Sequence, residues 1–109
     1  MQDPHLIVTI VRKGWGEAVL EATMAAGAHG GTIIPARGFG KNEQQRVFGI
    51  QIEPEKEVIL TLVPGTIKEE ILKEVQRAGE LDAPGKGLAF ALRAQDVVGI
   101  VHLVTDQQD

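Results

Sequence analysis

The sequence has no cysteine, no tyrosine, one tryptophan and three phenylalanines. Without cysteine it can form no disulfide and has no thiolate chemistry, and its core must be built from aliphatic side chains. Basic residues are also scarce, since eleven Lys and Arg against fifteen Asp and Glu give a net charge of −4. We therefore expect no nucleic-acid ligand, because phosphate backbones bind to clustered cationic surfaces.

Long apolar runs are missing as well. No stretch approaches the roughly 20 apolar residues that cross a bilayer, and no basic segment precedes an apolar one ahead of a cleavage site. We therefore expect a cytoplasmic protein. The 109 residues predict a single domain spanning 1–109. A domain of this size is marginally stable alone, which favours oligomerisation.

The sequence does contain alternating strand and helix patterns. Apolar, β-branched segments predict strands at residues 5–12, 32–37, 57–63 and 88–93, and helical periods predict helices at 17–26 and 67–78. A helical turn at 94–98 and a short strand at 99–104 complete the prediction. This order predicts an α+β, ferredoxin-like βαββαβ fold, with both helices on one face of an antiparallel sheet.

Neither face of the first predicted strand is polar. Leu6, Val8 and Ile10 alternate with a second set that contains only one polar residue, Thr9. Because the helices cover one face only, the other would expose a large apolar area, which is typical of a protein–protein interface. The pattern predicts a homo-oligomer packed sheet to sheet.

A long polar segment separates the second and third predicted strands. It follows Gly38-Phe39-Gly40 and spans residues 41–54, which we interpret as a projecting loop. Loops of this length in compact domains are usually functional or disordered. This loop contains apolar residues that need another surface to pack against. We therefore predict that the loop is the part of the protein that carries out its function.

Two runs carry a resemblance to a known family. Residues 26–40 read A-G-A-H-G-G-T-I-I-P-A-R-G-F-G, and residues 85–96 read G-K-G-L-A-F-A-L-R-A-Q-D. Both resemble the PII signalling proteins, best known as nitrogen regulators, and the similarity covers about the whole chain except the loop and the tail. The resemblance implies a homotrimer in which a T-loop, here 41–54, meets a B-loop, 82–87, and a C-loop, 102–109, in clefts between subunits.

The resemblance also implies a function. PII proteins bind ATP or ADP competitively in these clefts, and 2-oxoglutarate with MgATP at the T-loop base. The T-loop then docks on, or leaves, a membrane transporter or a metabolic enzyme. The residues expected to bind ligand are Thr32, Gly38, Phe39, Gly40, Lys41, Gly85, Lys86, Gly87 and His102. The glycines of the B-loop could in addition form an anion nest, to which Lys86 adds charge.

Several positions depart from the family pattern. The family's lysine and two arginines that hold phosphate fall at Leu88, Gly99 and Val101, and its magnesium-binding glutamine falls at Asn42. Charge-assisted contacts are worth about 1.5–3 kcal/mol each, so losing two weakens ATP by roughly 10²–10⁴-fold. We therefore expect a divergent branch that binds ATP, ADP or AMP without essential magnesium, with bicarbonate or 2-oxoglutarate as a possible small anion.

Two other interpretations remain open at this point. One is a ferredoxin-like trimer of the divalent-cation-tolerance type, which binds metal or serves a structural role. That family lacks a long loop between the second and third strands, and the sequence shows no cluster of His, Cys and Asp residues that would indicate a metal site. The other is a small enzyme, but no Ser–His–Asp, Cys–His or paired-carboxylate arrangement is legible either. We expect neither a catalytic residue nor a metal ligand.

Overall fold

The computed structural model describes residues 1–40 and 45–99, without the side chains of 45–47, 51 and 52. The elements, in chain order, are β1 (Pro4–Arg12), α1 (Gly16–Ala25), β2 (Thr32–Arg37), β3 (Gln45–Val47), β4 (Ile50–Ile52), β5 (Glu55–Pro64), a 3₁₀ turn (Gly65–Ile67), α2 (Lys68–Ala78) and β6 (Gly87–Arg93). The four strands and two helices predicted from the sequence are confirmed, and the fold is ferredoxin-like.

The main sheet is antiparallel, with the strand order β2-β5-β1-β6. β1 lies inside it and pairs with both neighbours. Its register with β5 sets Ile7 opposite Thr61, and its register with β6 sets Ile7 opposite Ala91. This register puts the odd-numbered residues of β1 on the same face as the odd-numbered residues of β5 and β6.

The core lies between that face and the two helices. The fully buried aliphatic residues come from β1, β5, α1 and α2, and they are Ile7, Val11, Val19, Ile59, Val63, Ile71 and Val75. Burying an aliphatic side chain of this size stabilises a fold by about 1.5–3 kcal/mol relative to exposure. The helical period of α2 puts Ile71 and Val75 on one face, four residues apart.

The other face of the sheet is apolar and uncovered within one chain. Ile34 of β2 and the side chains of Leu88, Phe90 and Leu92 of β6 are all exposed there. We call this surface the open face. It matches the sequence-based expectation that both faces are apolar, and the predicted oligomer would cover it.

Part of the long loop is regular. β3 and β4 pair as a separate two-stranded antiparallel sheet, with Val47 opposite Ile50. Phe48 and Gly49 form the turn, and both have positive φ, 53° and 82°. Two central residues with positive φ are typical of a type I′ hairpin turn. The segment that the sequence suggested was a loop therefore contains a hairpin, which we call the arm.

The region after β6 differs from the prediction. Residues 94–98 form no helical turn; instead the backbone N–H of Ala94 donates to the carbonyl oxygen of Pro4 at 2.9 Å. That bond continues the alignment of the chain with β1 by one residue beyond the end of β6. The predicted final strand lies, from residue 100 onwards, outside the described residues.

Candidate functional site

A cavity of about 310 Å³ lies on the open face, at the edge where β2 ends. Its walls are built from four segments of the sequence. Residues 38–40 come from the chain beyond β2, Ile10 comes from β1, Lys56 from β5, and Gly87 and Leu88 from the start of β6. The sheet order brings these segments together, because β1 and β5 lie between β2 and β6.

Four of the predicted ligand residues line this cavity: Gly38, Phe39, Gly40 and Gly87. The first three also form the base of the arm. The backbone N–H of Gly38 donates to the carbonyl oxygen of Pro54 at 3.2 Å, so the two ends of the 39–53 segment are joined beside the cavity. A ligand in the cavity would therefore contact the point where the arm leaves the sheet.

Gly87 is required by the packing of the two strands. Its φ is +143°, and a Cβ at this position would collide with the carbonyl oxygen of Ile10. Side chains rarely adopt such a conformation. The second glycine of the G-K-G run therefore has a structural role, which is to let β6 begin against β1 at the cavity wall.

Three of the other predicted residues lie outside the cavity lining. The Lys86 ammonium sits 4.9 Å from the centre of the Trp15 ring and 3.7 Å from the Glu80 carboxylate. Gly85 lies next to the guanidinium of Arg12, outside the cavity lining. Thr32 is exposed at the opposite end of β2, across from Leu60. Lys41 and His102 lie outside the described residues, so their roles stay predictions.

The sequence analysis did not single out Lys56. This residue is 8% exposed and its side chain forms part of the cavity wall. A buried ammonium is costly unless it is paired with a negative group or a good acceptor. One signal in the sequence could have found it, namely a lysine at the start of an apolar strand in phase with Val58 and Leu60 of the open face.

A second cavity lies at the opposite end of the sheet. Asp3, Arg93 and Gln95 line it, and the Arg93 Nε lies 3.2 Å from the Asp3 carboxylate. None of the predicted ligand residues lines this cavity. Its two charges are already paired with each other, which favours the cavity beside the arm as the candidate site.

Within residues 1–40 and 45–99, no group of three or more His, Cys, Asp or Glu residues is placed to hold a metal ion. Within the same residues, no helix combines the length and apolarity that a membrane span needs.

Comparisons with known proteins agree with the fold. A comparison with curated proteins gave no match. Among solved structures, the chain is similar to PII of Arabidopsis thaliana bound to citrate, with a TM-score of 0.72 and 21% identity over 91% of this chain and 84% of that chain. At this identity the similarity shows the fold alone. The family described as "Nitrogen regulatory protein P-II" matches residues 5–102, which is most of the sequence, and the chain therefore belongs to the P-II family of signalling regulators.

Proposed function

We propose that this chain is a PII-like signalling protein that binds an adenine nucleotide in the cavity and regulates a transporter or an enzyme through its arm. The observation that carries the proposal is the sharing of residues 38–40 between the cavity wall and the arm base. A ligand that binds one arm conformer more tightly shifts the population toward it. The partner would then respond to the ligand because its affinity differs between the two arm conformers.

The cavity has the chemistry of a nucleotide site. Phe39, Ile10 and Leu88 supply an apolar surface for a base, and Lys56 supplies a positive charge for a phosphate. Ligand sites combine mostly apolar walls with a few polar groups in this way. The glycine backbone at 38 and 40 leaves room for the close approach of a ribose or phosphate group.

The size of the cavity supports a site shared between subunits. About 310 Å³ is at the lower limit of the usual ligand-pocket range of roughly 300–1,000 Å³. Leu88 forms part of the wall and is 53% exposed, so the wall continues into the open face. We infer that neighbouring copies in a homotrimer cover the open face and complete the site.

The arm supports the regulatory part of the proposal. Phe48 at its tip is 100% exposed and Ile50 is 69% exposed. A positive φ at a bulky residue costs about 1–3 kcal/mol and is usually kept where function requires it. An exposed aromatic group on a two-residue turn could anchor the arm in an apolar pocket of a transporter or enzyme.

Two glycine variants test nucleotide binding. A Cβ at Gly38 would meet nothing within 4 Å, so Gly38→Ala fits the folded chain but places a methyl group in the cavity. A Cβ at Gly30 would also meet nothing, and Gly30 does not line the cavity, so Gly30→Ala is the matched control. Calorimetric titration with ATP, ADP and AMP should show binding to the wild type and to Gly30→Ala, and at least about 10-fold weaker binding to Gly38→Ala.

The same titrations distinguish other ligands. Bicarbonate and 2-oxoglutarate are tested alone and together with the nucleotide that binds best. A ligand at a free concentration of 100 times its Kd stabilises the folded protein by about 2.7 kcal/mol. Thermal shift therefore provides an independent readout of binding. A wild type that binds no adenine nucleotide contradicts the proposal. A thermal shift with Zn²⁺ and none with nucleotides would favour the divalent-cation-tolerance type.

A further inference from the structure

We propose that Trp15 is a positioning residue of the nucleotide site, which holds Lys86 and thereby fixes the start of β6 where that strand forms a wall of the cavity. The inference rests on the proposed function and adds a residue that lies outside the cavity lining. Three observations carry it: the contact between the two side chains, the anchoring of Trp15, and the closeness of Lys86 to the wall along the chain.

The ammonium group of Lys86 lies over the only indole ring of the chain. Its Nζ is 4.9 Å from the centre of the Trp15 ring, inside the roughly 6 Å over which a ring attracts a cation, and tryptophan is the best aromatic partner. The Lys86 side chain is 28% exposed, and its ammonium also lies 3.7 Å from the Glu80 carboxylate. The lysine therefore ties the B-loop both to the start of α1 and to the segment that follows α2.

Trp15 is anchored independently of the B-loop. Its N–H donates to the carbonyl oxygen of Arg12 at 3.1 Å, and its carbonyl oxygen accepts from the N–H of Val19 at 3.2 Å. The glycines on both sides of it donate their N–H groups to one carboxylate oxygen of Glu57. The ring packs against the buried core. Trp15 therefore gives the lysine a fixed surface.

The B-loop has backbone freedom that this contact restricts. Lys86 is flanked by Gly85 and Gly87, whose φ angles are +74° and +143°, and glycine has the widest choice of backbone conformations. Gly87 and Leu88, the two residues that follow the lysine, line the cavity. Pairing with β1 begins at Gly87, so the sheet holds this wall from one side only, and the lysine holds it from the other.

The position of the lysine indicates how it acts on the ligand. Lys86 does not line the cavity, whereas the wall that follows it consists of a glycine backbone and the apolar side chain of Leu88. Such a wall contacts an apolar part of a nucleotide and carries no charge for its phosphates. Loss of the contact with Trp15 should therefore weaken adenosine and ADP by the same factor.

Trp15→Leu and Lys86→Met each remove the contact and keep an apolar side chain. Titration calorimetry measures ADP directly and adenosine by displacement of ADP. We expect each variant to bind both ligands about 3–30-fold more weakly, within the strength of a cation–π contact. The double variant should lose no more than either single variant, because the two side chains act as one unit. Trp15→Phe and Lys86→Arg should restore most of the affinity.

Two control variants change similar groups away from the B-loop. Leu72→Ala removes a partly buried apolar side chain that packs against the same core and does not line the cavity. Lys73→Met removes an exposed cation of α2. Both should bind ADP as the wild type does. A loss in Leu72→Ala as large as the loss in Trp15→Leu would assign the effect to general destabilisation and overturn the positioning role.

Tryptophan fluorescence gives a readout that a merely structural role would not change. Trp15 is the only tryptophan of the chain, so its emission reports a charge next to the ring. Lys86→Met should shift the emission of the unliganded protein. ADP should not shift the wild-type emission toward that of Lys86→Met, because the contact persists in the complex. An ADP-bound spectrum that matches Lys86→Met would mean that the lysine leaves the indole, and it would overturn the proposal.

The outcomes separate this proposal from the proposed function. Equal affinities of Trp15→Leu and the wild type, with binding still weakened in Gly38→Ala, overturn the positioning role and leave the nucleotide site standing. A loss in Lys86→Met for ADP alone, with adenosine unaffected, would make the lysine a phosphate ligand and overturns it too. A wild type that binds no adenine nucleotide overturns both proposals.

Discussion

The backbone N–H of Gly16 donates to Oε1 of Glu57 at 2.8 Å, which links the first turn of α1 to β5. The same oxygen accepts from the N–H of Gly14 at 3.1 Å. The first N–H groups of a helix have no partner within the helix. Here the Glu57 carboxylate, more than 40 residues away in the sequence, supplies the acceptor for one of these N–H groups. Its negative charge also complements the helix dipole.

Glu57→Ala should therefore destabilise the protein by about 1–2 kcal/mol, the usual effect of removing a helix N-terminal acceptor. Urea unfolding at fixed protein concentration measures the change. Glu21→Ala is the control, because Glu21 is exposed in the middle of α1 and should change stability by less than about 0.5 kcal/mol. Equal unfolding midpoints of the two variants would contradict the capping role.

Gly87→Ala should destabilise the protein more than an alanine substitution at an exposed glycine does. A Cβ there collides with the carbonyl of Ile10, and the φ of +143° is strained for alanine. We expect a loss of at least about 2 kcal/mol, in the range of overpacking and backbone strain. Thermal unfolding measures it against Gly30→Ala, which should match the wild type. A stable Gly87→Ala variant would show that β1 and β6 can separate without loss.

Phe90→Asp should break the assembly of the open face. Phe90 is 42% exposed within one chain, opposite Val8 in the register, and a charge there would be buried in any sheet-to-sheet contact. Light scattering should give about three times 11.7 kDa for the wild type and a smaller mass for the variant. Val98→Asp is the control, because Val98 lies outside the sheet and is 99% exposed. A wild-type chain that is monomeric at micromolar concentration contradicts the homotrimer.

Phe48→Asn should preserve or stabilise the arm while removing its apolar tip. Asn-Gly is the favoured dipeptide of a type I′ turn, whereas a phenylalanine at positive φ is strained. Hydrogen exchange at the amides of β3 and β4 should show equal or greater protection in the variant. Phe48→Val, which keeps an apolar but β-branched residue at positive φ, should reduce protection. The opposite order would mean that the phenyl ring stabilises the hairpin.

Strand and helix positions in the main domain were predictable because each has a clear period. Val19 and Ile71, for example, follow helical spacings, and the core needs both of them buried. The arm was not predictable as a hairpin, since three-residue strands are too short to show a period of two. Its Phe48-Gly49 turn also departs from the Asn-Gly and Asp-Gly pairs that mark type I′ turns.

The candidate site was predictable in part. The G-F-G segment and Gly87 could be identified from the sequence, because glycines in these patterns mark a close backbone approach. The contacts of Lys86 with Trp15 and Glu80 could not be, since they depend on how α1 and the B-loop pack together. The position of Lys56 required the register of β1 against β5, which the sequence pattern does not specify.

The hydrogen bond between the N–H of Gly38 and the carbonyl of Pro54 has an evolutionary consequence. The intervening residues 39–53 leave and re-enter the domain at points that are already joined. Insertions, deletions or exchanges in this interval need not disturb the pairing of the four long strands. The sequence and length of this interval can therefore diversify while the body of the protein is conserved.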